Sequence, residues 1–85
     1  MSSVDATLAE RGTNYGDFKE DARVCQSIKK AMRDSPNWEK LDPDMVQALE
    51  LIAVKIARIL NGNPSYKDSW HDIIGYARLV ETRLT

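Results

Sequence analysis

The sequence predicts an all-α fold, a compact helical domain of three main helices preceded by a short N-terminal helix. Apolar residues recur at intervals of three and four over three long segments, which is the spacing of one helix face. Residues that start and stop helices bracket those segments. No segment alternates apolar and polar residues as a half-buried strand would. With 85 residues the chain suits a single domain, predicted to span 1–85 with an N-terminal arm over 1–16.

The arm and the second helix are predicted from their boundaries. Val4 and Leu8 share one helical face and Gly12 supplies a stop, so a short helix is predicted over about residues 5–11. Asp17 is placed to cap the next helix through its side-chain oxygen. That helix is amphipathic and ends at about Arg33, before Pro36. Its predicted buried stripe consists of Phe18, Ala22, Val24, Cys25, Ile28, Ala31 and Met32.

The third and fourth helices carry stronger start signals. Asp42 is a predicted N-cap followed by Pro43 at the first helical position, and the helix runs to about Leu60. It is apolar nearly all round, which places it centrally or in an oligomer interface. Ser65 and Asp68 resemble a capping box for the last helix, which runs from about residue 66 to 83. Its predicted inward stripe is Tyr66, Trp70, Ile73, Ala77, Val80 and Leu84.

Composition excludes several classes of function. Twelve basic and thirteen acidic residues give a net charge of −1, which argues against binding to nucleic acid or to an anionic membrane. The longest apolar run covers only residues 51–54, and the start of the chain lacks the pattern of a signal peptide, so a cytoplasmic protein without a membrane partner is expected. Cys25 is the only cysteine, which excludes an internal disulfide and predicts apolar packing.

The candidate site lies between the last two helices. Asp68 and Asp72 are one turn apart on the last helix, and the short connection makes the preceding helix antiparallel to it. One interpretation is an ion pair between Lys55 and one of these aspartates. The other is a Mg²⁺ ion on the carboxylates, with Glu50 as a third ligand, bridging to a nucleotide phosphate. The phosphate would be held by Lys55, Arg58 or Arg11.

Aromatic residues and the single histidine complete the list of candidates. The candidates for stacking on a base are Tyr15, Trp70 and Tyr76. His71 is predicted on the exposed side of the last helix, and a lone imidazole makes a poor zinc site. No glycine-rich phosphate loop and no serine with a partnered histidine is evident, which argues against P-loop chemistry and nucleophilic catalysis.

Three blocks of the chain resemble a family of small uncharacterised phage and prophage proteins. The blocks are Arg11 with Tyr15-Gly16-Asp17, residues 51–59 and residues 67–77. That family is similar to the phage nucleotide-modification-associated domain and, more remotely, to the MazG-like all-α nucleoside triphosphate pyrophosphohydrolases. In the MazG-like enzymes, acidic residues on two helices bind Mg²⁺, which activates water for attack on the triphosphate.

The resemblance implies roles for particular positions. Asp72 matches the aspartate of the second acidic pair, and Asp68 supplies a carboxylate one position early, while Ser69 stands where a glutamate is expected. Around Glu50 the first acidic block departs further, because its neighbours include Gln47, Val54 and Lys55.

These observations predict a phage-encoded nucleotide-binding accessory protein in the cytoplasm of a bacterial host, with weak or absent Mg²⁺-dependent pyrophosphohydrolase activity. A homodimer through the apolar third helix is expected, because MazG-like domains complete their bundles by association. The alternative is a non-catalytic interaction module that binds a host or phage protein.

Overall fold

The computed structural model describes residues 3–85, so the first two residues of the predicted arm lie outside it. Within this range the chain forms four α-helices, one short 3-10 turn and no strand. The elements are α1 (Ser3–Tyr15), α2 (Phe18–Arg33), the 3-10 turn (Trp38–Lys40), α3 (Pro43–Asn61) and α4 (Lys67–Glu81). The predicted all-α class is confirmed.

The first helix is longer than predicted. It does not end at Gly12 but continues to Tyr15, and the Gly16 amide donates to the Gly12 carbonyl at 3.0 Å. Gly16 ends the helix because it adopts a φ of 81°, a left-handed conformation that glycine reaches without steric cost. The prediction of a helix over residues 5–11 was therefore wrong in length, and the stop signal was the second glycine.

The predicted N-caps have different outcomes. Asp17 caps α2 as predicted, since its Oδ2 accepts a hydrogen bond from the Glu20 amide at 3.1 Å. Asp42 stands at the N-cap position of α3 but makes no capping hydrogen bond. The capping box at Ser65 was wrong, because the N-cap of α4 is Tyr66 and no side chain caps the helix. The Ser65 amide instead donates to Asn63 Oδ1 at 3.0 Å.

Asp42 instead joins the start of α3 to the end of the chain. Arg83 contacts Asp44 through Nε at 2.7 Å and Asp42 through Nη2 at 3.2 Å. The hydrogen bonds from Arg83 lower the pKa of the Asp44 carboxyl. Because this pKa is lowered on folding, the stabilisation is present at neutral pH and is lost as the pH falls through the lowered pKa. Solvent exposure of the three side chains keeps the contribution small.

Small residues form the centre of the molecule. Helix α3 packs against both α2 and α4. The most deeply buried residues are Cys25, Ala48, Ala53, Ala57 and Ser69. In the described part of the chain no large side chain is fully buried. Small side chains let helices approach closely, but they leave much of the larger apolar surface exposed.

The inward face of α4 is rotated from the predicted stripe. Ser69 is buried and Tyr76 is half-buried, whereas Trp70 is 52% exposed. Trp70 folds over the preceding turn, where its indole N–H donates to the Pro64 carbonyl at 2.8 Å. Phe18 was also predicted to be buried, yet it is 82% exposed at the start of α2. Other apolar residues left exposed are Val4, Leu8, Leu49, Leu60, Ile74, Leu79 and Leu84.

None of the described helices combines the length and apolar character needed to cross a membrane.

Candidate functional site

The end of α1 lies directly against the end of α3. The backbones meet at Gly16 and Gly62, where an added Cβ on either glycine would come within 3.0 Å of the opposite backbone. Beside this contact, the Asn63 amide donates to the Asn14 carbonyl at 2.7 Å. The close approach places Tyr15, the last residue of α1, over the last turns of α3.

Tyr15 brings together side chains from three helices or their flanking turns. The guanidinium carbon of Arg58 lies 4.3 Å from the centroid of the Tyr15 ring, and that of Arg11 lies 5.4 Å from it. Both distances fall in the range of cation–π attraction. Tyr66, at the start of α4, packs edge-on against Tyr15 with 5.8 Å between the ring centroids. The fold thus brings together Arg11 and Arg58, both predicted to bind phosphate, and Tyr15, predicted to stack on a base.

Tyr15, Arg11 and Arg58 border an open groove of about 720 Å³, which we call the Tyr15 groove. Its volume is that of a small-molecule site. Helix α1 forms one wall, and the start of α2 and Arg58 of α3 form the other. The groove is lined by Ser3, Val4, Thr7, Leu8, Arg11, Gly12, Tyr15, Gly16, Asp17, Phe18, Asp21 and Arg58. The apolar members are the exposed side chains that the small core leaves uncovered.

The charges in the Tyr15 groove are incompletely paired. Neither Arg11 nor Arg58 forms an ion pair with a carboxylate of residues 3–85. On the α2 side, Asp17 accepts its capping hydrogen bond, whereas Asp21 Oδ1 is shielded from solvent and has no hydrogen-bond partner among residues 3–85. Burial raises the pKa of the Asp21 carboxyl, and the positive charge of Arg58 opposes that rise.

A second set of predicted site residues forms an ion pair instead. Lys55 Nζ lies 2.9 Å from Asp72 Oδ2, joining α3 to α4. The Lys55 side chain is 13% exposed and that of Asp72 is 39% exposed. A cation this well shielded needs its partner, because removing one member of a buried pair leaves an uncompensated charge. The contact is the one described by the ion-pair interpretation of the sequence.

The remaining predicted metal ligands do not join Asp72 in a cluster. Asp68 lies beside Tyr66, and its hydrogen bond and negative charge raise the pKa of the Tyr66 phenol. Glu50 is half-buried on α3 and makes no ion pair with the rest of the described chain. Among residues 3–85 no three His, Cys, Asp or Glu side chains are grouped so that they could hold a metal ion.

This donor set does not fit a Mg²⁺ ion held by all three predicted carboxylates. None of Asp68, Asp72, Glu50 and Lys55 lines the Tyr15 groove, so the predicted metal ligands and arginines do not share one pocket. The participation of a Mg²⁺ ion in nucleotide binding stays a prediction.

The other stacking candidates lie away from the Tyr15 groove. Trp70 covers the turn before α4, as described above. Tyr76 borders a shallow depression of about 320 Å³ on α4, together with His71 and Asp72. His71 is exposed, in agreement with the prediction. A depression formed by one helix offers few converging groups for a ligand.

The sequence interpretation missed the groove wall contributed by α2. Phe18 was assigned to the core, and Asp21 was not singled out. A usable signal was present, because Asp17 and Asp21 are one turn apart and face the same side at the start of α2. Val4 and Leu8 were predicted only to share one face of a short helix, and both line the groove.

The fold and the site define a small all-α domain with an arginine- and tyrosine-lined groove between its N-terminal helix and its helical body. Residues 2–83 match the family model described as "Domain of unknown function (DUF6378)", and the chain belongs to that family. No curated protein and no solved structure was found to match the chain. Membership in a family of unknown function agrees with the predicted resemblance to a family of uncharacterised proteins. The phage origin and the MazG-like relationship stay predictions.

Proposed function

We propose that this protein is a nucleotide-binding accessory protein, and that the Tyr15 groove is its binding site. The observation that carries the proposal is the convergence of Arg11 and Arg58 on one aromatic ring, where neither forms an ion pair with a carboxylate of the described residues. Guanidinium groups bind phosphate oxygens through two parallel hydrogen bonds, which makes arginine well suited to phosphate recognition. A phosphate in the groove would supply the negative charge that both side chains lack.

The apolar part of the groove fits the rest of a nucleotide. Val4, Leu8 and Phe18 are exposed along the same groove, and they would cover a base or a sugar. Ligand pockets generally combine such apolar walls with a few placed polar groups. A ligand with both a phosphate and a planar apolar body therefore matches the groove better than a simple anion does.

Hydrolysis of the bound nucleotide is proposed to be weak or absent. The proposal follows from the ion pair of Lys55 with Asp72, which occupies one predicted metal ligand, and from the dispersed positions of Asp68 and Glu50. The sequence resemblance supports a phage-encoded protein that meets its nucleotide in the cytoplasm of a bacterial host. The protein would then hold or deliver a nucleotide.

Thermal unfolding of the protein with a panel of nucleoside triphosphates, with and without Mg²⁺, tests this function. A nucleotide at about ten times its Kd stabilises the folded state by about 1.4 kcal/mol. For a domain of this size that corresponds to a rise of roughly 6–11 °C in Tm. Nucleosides without phosphate are expected to give a much smaller rise. The absence of a shift with every nucleotide at millimolar concentration would contradict the proposal.

We also propose that the chain self-associates, through α4 rather than through the predicted α3. Trp70 is 52% exposed, and Ile74, one helical turn later on the same face of α4, is 64% exposed. The exposed Ala77 extends this apolar stripe. Because no large side chain is fully buried in the described chain, one copy has a marginal core. A second copy placed on this stripe by a twofold axis would cover the same residues on both chains.

Sedimentation equilibrium is expected to give twice the mass of one chain, and Ile74→Lys is expected to give the monomer because a charge cannot be buried unpaired in the interface. His71→Lys, on the exposed flank of the same helix, is the matched control and should leave the dimer intact. A monomer at every concentration would favour the alternative function, in which the α4 stripe binds a different protein.

A further inference from the structure

Asp21 lines the Tyr15 groove from α2 and has an unusual environment. Its Oδ1 atom is shielded from solvent and accepts no hydrogen bond from any of residues 3–85. The carboxylate forms no ion pair with Arg58, which lines the same wall of the groove and acts on it only through its charge at longer range. A shielded acceptor without a hydrogen bond is unfavourable. Asp21 therefore lines the groove with hydrogen-bonding capacity that the described residues do not use.

The geometry allows a ligand to supply that donor. The Asp21 side chain as a whole is only partly buried, and no hydrogen bond within the described chain fixes its carboxylate. The terminal torsion of an aspartate is broad, so the Asp21 carboxylate can rotate to meet a donor in the groove. An ionised carboxylate can only accept hydrogen bonds, so its partner must carry an N–H or an O–H.

The charges in the Tyr15 groove favour a nucleotide as the source of the hydrogen-bond donor to Asp21. Arg11 and Arg58 attract an anion, but the negative charge of Asp21 repels one. A bare phosphate chain would therefore meet one unfavourable neighbour. A phosphorylated nucleoside places its phosphates on the arginines and has sugar hydroxyls and base N–H groups to offer to the carboxylate.

We propose that Asp21 is the specificity-determining residue of the Tyr15 groove: it accepts a hydrogen bond from the sugar or base of the bound molecule, and thereby selects phosphorylated nucleosides over inorganic polyphosphate. The inference rests on the proposed nucleotide-binding function. It assigns to Asp21 a role separate from that of the arginines, which bind the phosphates of either ligand.

The test compares two ligands whose affinities should move in opposite directions. Asp21→Ala removes both the acceptor and the negative charge. Binding of a nucleoside triphosphate, measured by titration calorimetry, is expected to weaken about tenfold because a hydrogen bond to a charged group is lost. Binding of inorganic triphosphate is expected to tighten roughly twofold to fivefold because a repelling charge is removed. Asp21→Asn keeps a carbonyl acceptor of similar shape and should lie between wild type and Asp21→Ala for the nucleotide.

The matched control is Asp34→Ala at the far end of α2, where the aspartate pairs with Lys30 on the surface. It should leave both affinities unchanged. Thermal unfolding without ligand verifies that each variant is folded, and Asp21→Ala should not lower Tm, because it removes a buried atom without a partner.

Each outcome separates the two proposals. If both ligands change in the same direction in Asp21→Ala, or if nucleotide binding is unchanged, the role of Asp21 is overturned while the groove remains a nucleotide site. If the wild type binds neither ligand, the nucleotide-binding function and this inference are both overturned. Nucleotides with a 2′,3′-dideoxy sugar identify the group that donates to Asp21. If the sugar hydroxyls donate, Asp21→Ala should not change the affinity for these nucleotides. If the base donates, the substitution should weaken their binding as it does for the ordinary nucleotide.

Discussion

Gly62→Ala is expected to lower the Tm of the protein by roughly 8–16 °C, because it forces the end of α1 off the end of α3. The added Cβ would lie within 3.0 Å of the Asn14 carbonyl oxygen and of two backbone carbons of Tyr15. These are backbone atoms that cannot move aside like the end of a flexible side chain. Overpacking of this kind costs about 1–3 kcal/mol, and here the hydrogen bond between Asn63 and Asn14 is disturbed as well.

Limited proteolysis locates the structural change in Gly62→Ala. Displacement of α1 should expose the peptide bond after Arg11, so limited trypsin digestion is expected to cut Gly62→Ala there faster than the wild type. Displacement also separates Tyr15 from Arg58, and the variant is therefore expected to lose nucleotide binding.

Gly75→Ala is the matched control. Gly75 lies inside α4, and an added Cβ there meets no atom within 4 Å. Replacing glycine in a helix interior by alanine stabilises by about 0.5–1 kcal/mol, so Tm should rise. If Gly62→Ala were as stable as Gly75→Ala, the backbone contact between α1 and α3 would not exist in solution.

The helices were predictable because their signals are local. Periodic apolar positions, Pro43 at a helix start and Asp17 at another each act within a few residues. The end of α1 was not predictable in the same way. From the sequence, either Gly12 or Gly16 could end the helix. The helix ends at Gly16 because the backbone there contacts the end of α3, which lies far along the chain.

The orientation of α4 shows how packing overrides hydrophobicity. Trp70 is the larger apolar residue and was predicted to face inward, but Ser69 occupies the buried position. Helix α3, against which α4 packs, has small buried residues that include Ala53 and Ala57, and small side chains favour close approach of two helices. Hydrophobic periodicity locates a face to within one residue, and it does not report the distance between helices.

The candidate site was predicted in part. Arg11, Arg58 and Tyr15 were each singled out from the sequence, but their meeting depends on the turn at Gly16 and on the path of α1. Asp21 was missed because on a helical wheel it looks like part of a solvated face. Its spacing from Asp17 places it beside the start of α2, but the sequence does not show that its Oδ1 lacks a hydrogen bond from the rest of the described chain.

Arg58→Ala is expected to weaken nucleotide binding by about 10- to 100-fold, since a charge-assisted hydrogen bond contributes about 1.5–3 kcal/mol. Arg58 lies closer to the Tyr15 ring than Arg11 does, and it extends from the rigid end of α3 rather than from α1. It should therefore contribute more than Arg11. Titration calorimetry on both alanine variants measures this order directly.

Arg58→Lys separates charge from geometry. Lysine keeps the positive charge but loses the planar fork that binds two phosphate oxygens and lies flat on a ring, so it should restore only part of the affinity. Arg78→Ala is the control, because Arg78 is an exposed arginine on α4 whose contact is Glu81. Equal losses in Arg58→Ala and Arg78→Ala would mean that nucleotides respond to overall charge and not to the Tyr15 groove. A selective loss at Arg58, with Tm unchanged in the absence of ligand, requires that the phosphates bind where Arg58 meets Tyr15.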